Sequence, residues 1–104
     1  MIFRRGRFSE VIGRQLGLFE LDHADVIAEA ADRLAAYNRA ERDEAEELYG
    51  DYVDVVETGT ELLAEIRDGF AATLPEGTDE LYENEFNRAV ARRWKAFALE
   101  IENR

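Results

Sequence analysis

Apolar residues recur along this chain at intervals of three and four, the spacing that gathers side chains on one face of an α-helix. The first run holds Phe8, Val11, Ile12, Leu16 and Phe19, and Ser9, whose hydroxyl can accept a backbone N–H, predicts the N-cap of a helix over residues 9–21. Gly13 and Gly17 weaken that helix. Asp22 is a second N-cap candidate ahead of Val26, Ile27, Ala30, Ala31, Leu34 and Tyr37, which predict a helix over 23–38.

No Gly or Pro stands between Leu18 and Tyr49, so the end of the second helix has to be read from charge. Asn38, Arg39 and Arg42 suit a C-terminal turn, whereas Asp43, Glu44, Glu46 and Glu47 suit an N-terminal one, each complementing the helix dipole. Asp43 and Glu46 also have the spacing of a capping box. These features place a turn near 38–42. The competing reading is an unbroken helix from 23 to 74; at 1.5 Å per residue it would be roughly 80 Å long, more than a lone small domain could cover.

The third helix, over 43–74, carries Tyr49, Tyr52, Val53, Val56, Gly59, Leu63, Ile66, Phe70 and Leu74 on its apolar stripe and stops at Pro75. Pro75-Glu76-Gly77 is a turn. A last helix over 78–102 buries Tyr82, Phe86, Ala89, Val90, Trp94, Phe97 and Ile101, with Gly59 and Thr60 leaving room for Trp94 as the largest core residue. The expected fold is all-α: a small antiparallel helical bundle of three columns, the first two helices sharing one column. Residues 1–104 read as a single domain with a short basic arm at 1–8.

Composition agrees with this picture. The chain has 104 residues, 46% hydrophobic, with one proline and an abundance of Ala, Glu, Leu and Arg, which favour helix. It has no cysteine, which removes disulfides, thiolate nucleophiles and zinc sites built on sulfur. The basic start is followed by Ser9-Glu10 rather than an apolar core, so no secretory signal is expected, and no uncharged stretch approaches the roughly 20 residues of a membrane span. A cytoplasmic location follows as the expectation.

Charge adds more. The net charge is -11, yet residues 1–14 and 88–104 each carry +3, which leaves -17 between them. Such a balance opposes general affinity for a phosphate backbone unless the basic ends act alone. Those ends can close on the acidic body or point at a partner.

Five features are candidates for function. Asp54, Glu57, Glu61, Glu65 and Asp68, preceded by Glu47, form a carboxylate stripe on the third helix. The simplest reading is a solvated face; the others are a basic protein partner or a hard cation such as calcium or magnesium. Leu81, Arg88, Arg92 and Leu99 share the outward face of the last helix, an apolar and basic combination that suits a partner. Glu20 and His23 have the Glu-x-x-His spacing of di-iron carboxylate bundles, although there is only one histidine. Arg4, Arg5 and Arg7, with Phe3 and Phe8, could contact phosphates and bases or fold back on the chain's own acidic surface. Trp94 between Arg93 and Lys95 could anchor an interface, but by helical phase it reads as core.

For catalysis the supply is poor: no cysteine, one histidine, and no Gly-rich phosphate loop between strand and helix. The expectation is a non-catalytic protein-protein interaction or assembly module with no cofactor, self-associating as a homodimer in which the Leu81 to Leu99 face meets Glu57 and Glu61 of a second copy. The alternatives are a metal-binding bundle using Glu20 and His23, and a nucleic-acid-associated protein using the basic arm.

Overall fold

A computed structural model describes residues 6–104, and among these there are helices and turns but no strand. Helix α1 spans Ser9–Asp22, α2 Ala24–Asn38, α3 Ala45–Ala71 and α4 Thr78–Arg93; a short 3-10 turn, Lys95–Phe97, leads into α5, Ala98–Asn103. The chain is an all-α bundle. Helix α2 packs along α3, which also meets α4 and α5. Helix α1 runs beside α4 in the same direction, with Phe8 against Tyr82 at one end and Glu20 bonded to Arg93 at the other.

The turn near 38–42 is present, spanning 39–44, so the unbroken helix from 23 to 74 does not form. The caps differ from those the sequence suggests. Ser9 is the first helical residue rather than the cap; Phe8 occupies the cap position and its N–H donates to the Glu85 carboxylate of α4 at 3.0 Å. The start of α1 has no side-chain cap bond, and this tertiary bond satisfies the Phe8 donor there. Asp22 closes α1 instead of opening α2, and His23 alone forms the joint between them. Before α3 it is Glu44 that reaches back, accepting the Glu41 N–H at 3.4 Å, in place of the pairing expected of Asp43 and Glu46.

The larger difference lies at the end of the chain. Helical phase continues through Trp94, Phe97 and Ile101, but Trp94 is extended, at φ -138° and ψ 99°, and divides the expected helix 78–102 in two. The break carries Phe97 and Ile101 into the core, where each is almost fully buried, and leaves Trp94 half-buried against Phe19. The room at Gly59 is accordingly taken by Phe97, not Trp94. A Cβ placed at Gly59 would stand 2.6 Å from the Phe97 ring.

The core gathers Ile12, Leu16 and Phe19 of α1, Leu63 and its neighbours on α3, and Tyr82, Phe86 and Val90 of α4. Three polar groups lie inside it: the Thr60 hydroxyl of α3, which has no hydrogen-bond partner among the described residues, the Tyr82 phenol and the Arg67 guanidinium. Tyr82 donates its hydroxyl to Gln15 Oε1 at 2.8 Å, tying α4 to α1. Arg67 of α3, 4% exposed, donates to Asp68 at 2.8 Å, to Asn87 of α4 at 3.0 Å and to the Ile101 carbonyl of α5 at 3.0 Å.

Four outcomes test this packing. Gly59→Ala lowers stability in urea denaturation by about 1–3 kcal/mol through overpacking against Phe97. Gly13→Ala, where a Cβ meets nothing within 4 Å, raises it by about 0.5–1 kcal/mol through helix propensity. Arg67→Met keeps the aliphatic stem but leaves Asn87 and the Ile101 carbonyl without their donor. It costs about 2–3 kcal/mol and speeds amide exchange in α5 before the rest of the bundle. Burial pushes the Tyr82 phenol up from 10.0 to about 12, with the Gln15 hydrogen bond opposing. Because the folded state holds this proton more tightly than the unfolded chain, the stabilisation is complete below pH 10 and is lost as pH rises towards 12. In a base titration, phenolate absorbance from Tyr82, identified by its loss in Tyr82→Phe, should appear together with unfolding.

Candidate interaction surface

The predicted functional residues fall on three surfaces. Asp54, Glu57, Glu61, Glu65 and Asp68 are all exposed along α3, and among the described residues Asp68 alone of them is in an ion pair, with its neighbour Arg67. The stripe is a real feature of the outer face, produced by residues that alternate in phase with the buried Val56, Leu63 and Arg67.

The basic residues are divided. Arg88 and Arg92 are exposed on α4, and Leu81, 54% exposed, lies on the same side one turn into that helix. Leu99, 69% exposed, sits on α5 beyond the break at Trp94, so it is not part of a continuous α4 face. Arg93 donates to Glu20 at 2.9 Å and stacks over the Trp94 ring at 5.2 Å. Among the described residues no carboxylate lies within ion-pair distance of Arg88 or Arg92; the Arg88 Nε makes a long bond, 3.4 Å, to the Asn84 carbonyl one turn below.

These arginines border an open groove between α1 and α4, with a volume of about 610 Å³. Gly6, Ser9 and Gly13 line its α1 side and Arg88, Ala89, Arg92 and Arg93 its α4 side, over the nearly buried Ile12 and Leu16. At Gly13 the groove is open: nothing lies within 4 Å of a Cβ built there. Gly13 is read from sequence only as a weak helix former. Its second consequence, an absent wall, needs the neighbouring helix to be known. Glu85 stands in the groove as well, but its carboxylate is engaged by the Phe8 N–H and lies hard against Gly6.

Glu20 and His23 are not brought together as ligands. The Glu20 carboxylate is held by Arg93, and the His23 ring packs on Phe19 at 5.3 Å. Among the described residues no group of three or more His, Asp or Glu side chains converges on a possible metal position. Of the basic arm, Arg4 and Arg5 lie outside the described residues; Arg7 is exposed with its guanidinium 5.6 Å from the Phe8 ring, which in turn packs on Tyr82.

A second groove, of about 240 Å³, lies between α2 and α3 and is lined by Val26, Glu29, Arg33, Asp51, Asp54, Val55 and Thr58. Arg33 spans it, pairing with Glu29 at 3.3 Å and Asp51 at 3.7 Å, so its one cation is already engaged. No helix of the described residues is long and apolar enough to cross a membrane. Compared with protein-family models, curated proteins and solved structures, the chain matches none of them.

Proposed function

We propose that this protein is a non-catalytic helical interaction module, which offers the α1–α4 groove to an acidic segment of a protein partner. The observation that carries this reading is the state of Arg88 and Arg92. In a chain of net charge -11, carboxylates are available almost everywhere, yet among the described residues neither of these two exposed arginines on the groove's border is in an ion pair. Two cations beside an apolar floor fit a helix or loop that carries carboxylates and one or two apolar side chains. Leu81, exposed on the same side of α4, extends that surface.

Arg88 and Arg92 supply orientation and association rate, since exposed ion pairs are worth only about 0–1 kcal/mol each. The apolar floor and the displaced water supply the rest. The α3 stripe, fully solvated, is the part of the surface that keeps the module soluble and repels wrongly oriented partners.

The test uses the partner captured by cross-linking in the native cell, then purified and titrated against the purified protein. Arg88→Glu with Arg92→Glu weakens binding at least about tenfold and leaves the urea denaturation midpoint near that of the wild type. Glu57→Lys with Glu61→Lys leaves binding within about twofold. Equal affinity for the wild-type and Arg88/Arg92 variants would overturn the proposal.

A further inference from the structure

The two ends of this bundle are covered differently. Of residues 31–54, which form the second half of α2, the turn and the start of α3, none is buried. Two helices alone close this end. Their seam is a ladder of Tyr37, Tyr49 and Tyr52, with ring centroids 5.2 and 6.3 Å apart, and it leaves Tyr49 50% and Leu34 38% exposed. Residues 31–54 carry eight carboxylates against three arginines. The tip is therefore an acidic surface with an aromatic anchor, the complement of the arginine-bordered groove between α1 and α4.

We infer that the α2–α3 tip of one copy docks in the α1–α4 groove of a second copy. This rests on the reading of the groove as a site for an acidic partner and identifies that partner as the protein itself. Tyr49 enters over Ala89 and the open side of Gly13, and Glu46, one turn before Tyr49 on the same exposed side of α3, faces Arg88 and Arg92. Tyrosine opposite arginine adds stacking to charge, a pairing enriched where interfaces hold most of their affinity.

Three considerations select this arrangement. A copy cannot insert its own tip, because tip and groove lie on one packed body, separated by roughly 20 residues of α3 or about 30 Å along its axis. Tip-to-tip pairing sets two negative surfaces against each other, whereas tip-to-groove opposes charge. The overall repulsion between copies of charge -11 is screened at about 0.15 M salt, where the Debye length is about 8 Å, while contacts inside the interface persist. Since the two surfaces differ, each added copy leaves one tip and one groove free, and assembly continues head to tail.

Sedimentation at about 0.15 M salt, over protein concentrations up to about 1 mM, tests the inference. The wild type gains mass steadily with concentration. Tyr49→Ser in the tip and Arg88→Glu with Arg92→Glu in the groove each yield monomers with wild-type circular dichroism. Mixed in equal amounts, the two variants yield a dimer that grows no further, because only one intact tip and one intact groove remain. Gly13→Leu, which fills the groove without touching its charges, behaves as the arginine variant does. Variants that assemble like the wild type, a mixture that stays monomeric, or a wild type that stays monomeric throughout would overturn self-docking. If that monomer still binds a foreign acidic partner through Arg88 and Arg92, the groove's function stands and only the identity of its occupant is wrong; if it binds none, both readings fall.

Discussion

Arg67 is the constraint around which the bundle is arranged. A guanidinium taken out of water is costly unless its donors are satisfied, by several kcal/mol in practice. Here it is satisfied by three elements at once: Asp68 beside it on α3, Asn87 on α4 and the Ile101 carbonyl on α5. The last bond has the most consequence, because it fixes a segment of only six residues that would not hold its own helix in isolation. Position the guanidinium, and the last turn of the chain has to come to it.

That requirement explains why the final column bends. A straight helix through residue 102 would carry its C-terminal turns past the body along the axis of α4. The extended residue at Trp94 and the 3-10 turn after it redirect the chain over α3. Phe97 then meets Gly59 so closely that a methyl group at residue 59 could not be accommodated without movement, and Ile101 is fully buried beside Arg67. Trp94 is left as a cover over Phe19 and Phe97, its outer side stacked by Arg93. Close helix approach and a buried cation thus reinforce each other from neighbouring positions on α3.

The same packing divides the molecule into a covered body and a less covered hairpin end. Helices α4 and α5 pack on α3, α1 packs on α4 and α2, and none of residues 31–54 at the hairpin end is buried. Glycine at position 13 then leaves a furrow in the body where the two parallel helices α1 and α4 meet, and the basic end of α4 forms its border. Acidic residues early and basic residues late in α4 complement that helix's dipole, and in doing so they also concentrate positive charge at the furrow. A local stabilising pattern has become a surface property.

The sequence by itself determined the helices and their charges. Period-three and period-four spacing marked every helical segment, Pro75 and Gly77 marked one turn, and opposing charge types on either side of 38–42 marked the other, because each of these signals acts within a few residues. The carboxylate stripe and the basic last turns of α4 were legible for the same reason. What only the tertiary structure decided were the features that depend on a neighbour. Phe8 needs Glu85 of α4 to serve as a cap in place of Ser9. The break at Trp94 cannot be read from a phase that runs on unchanged, since its cause is a guanidinium 27 residues away and a glycine on another helix. The separation of Leu99 from Arg88 and Arg92, the furrow beside Gly13 and the bare tyrosine tip follow from which neighbours each helix packs against, a choice made by packing energy summed over the whole core and not by any local run of residues.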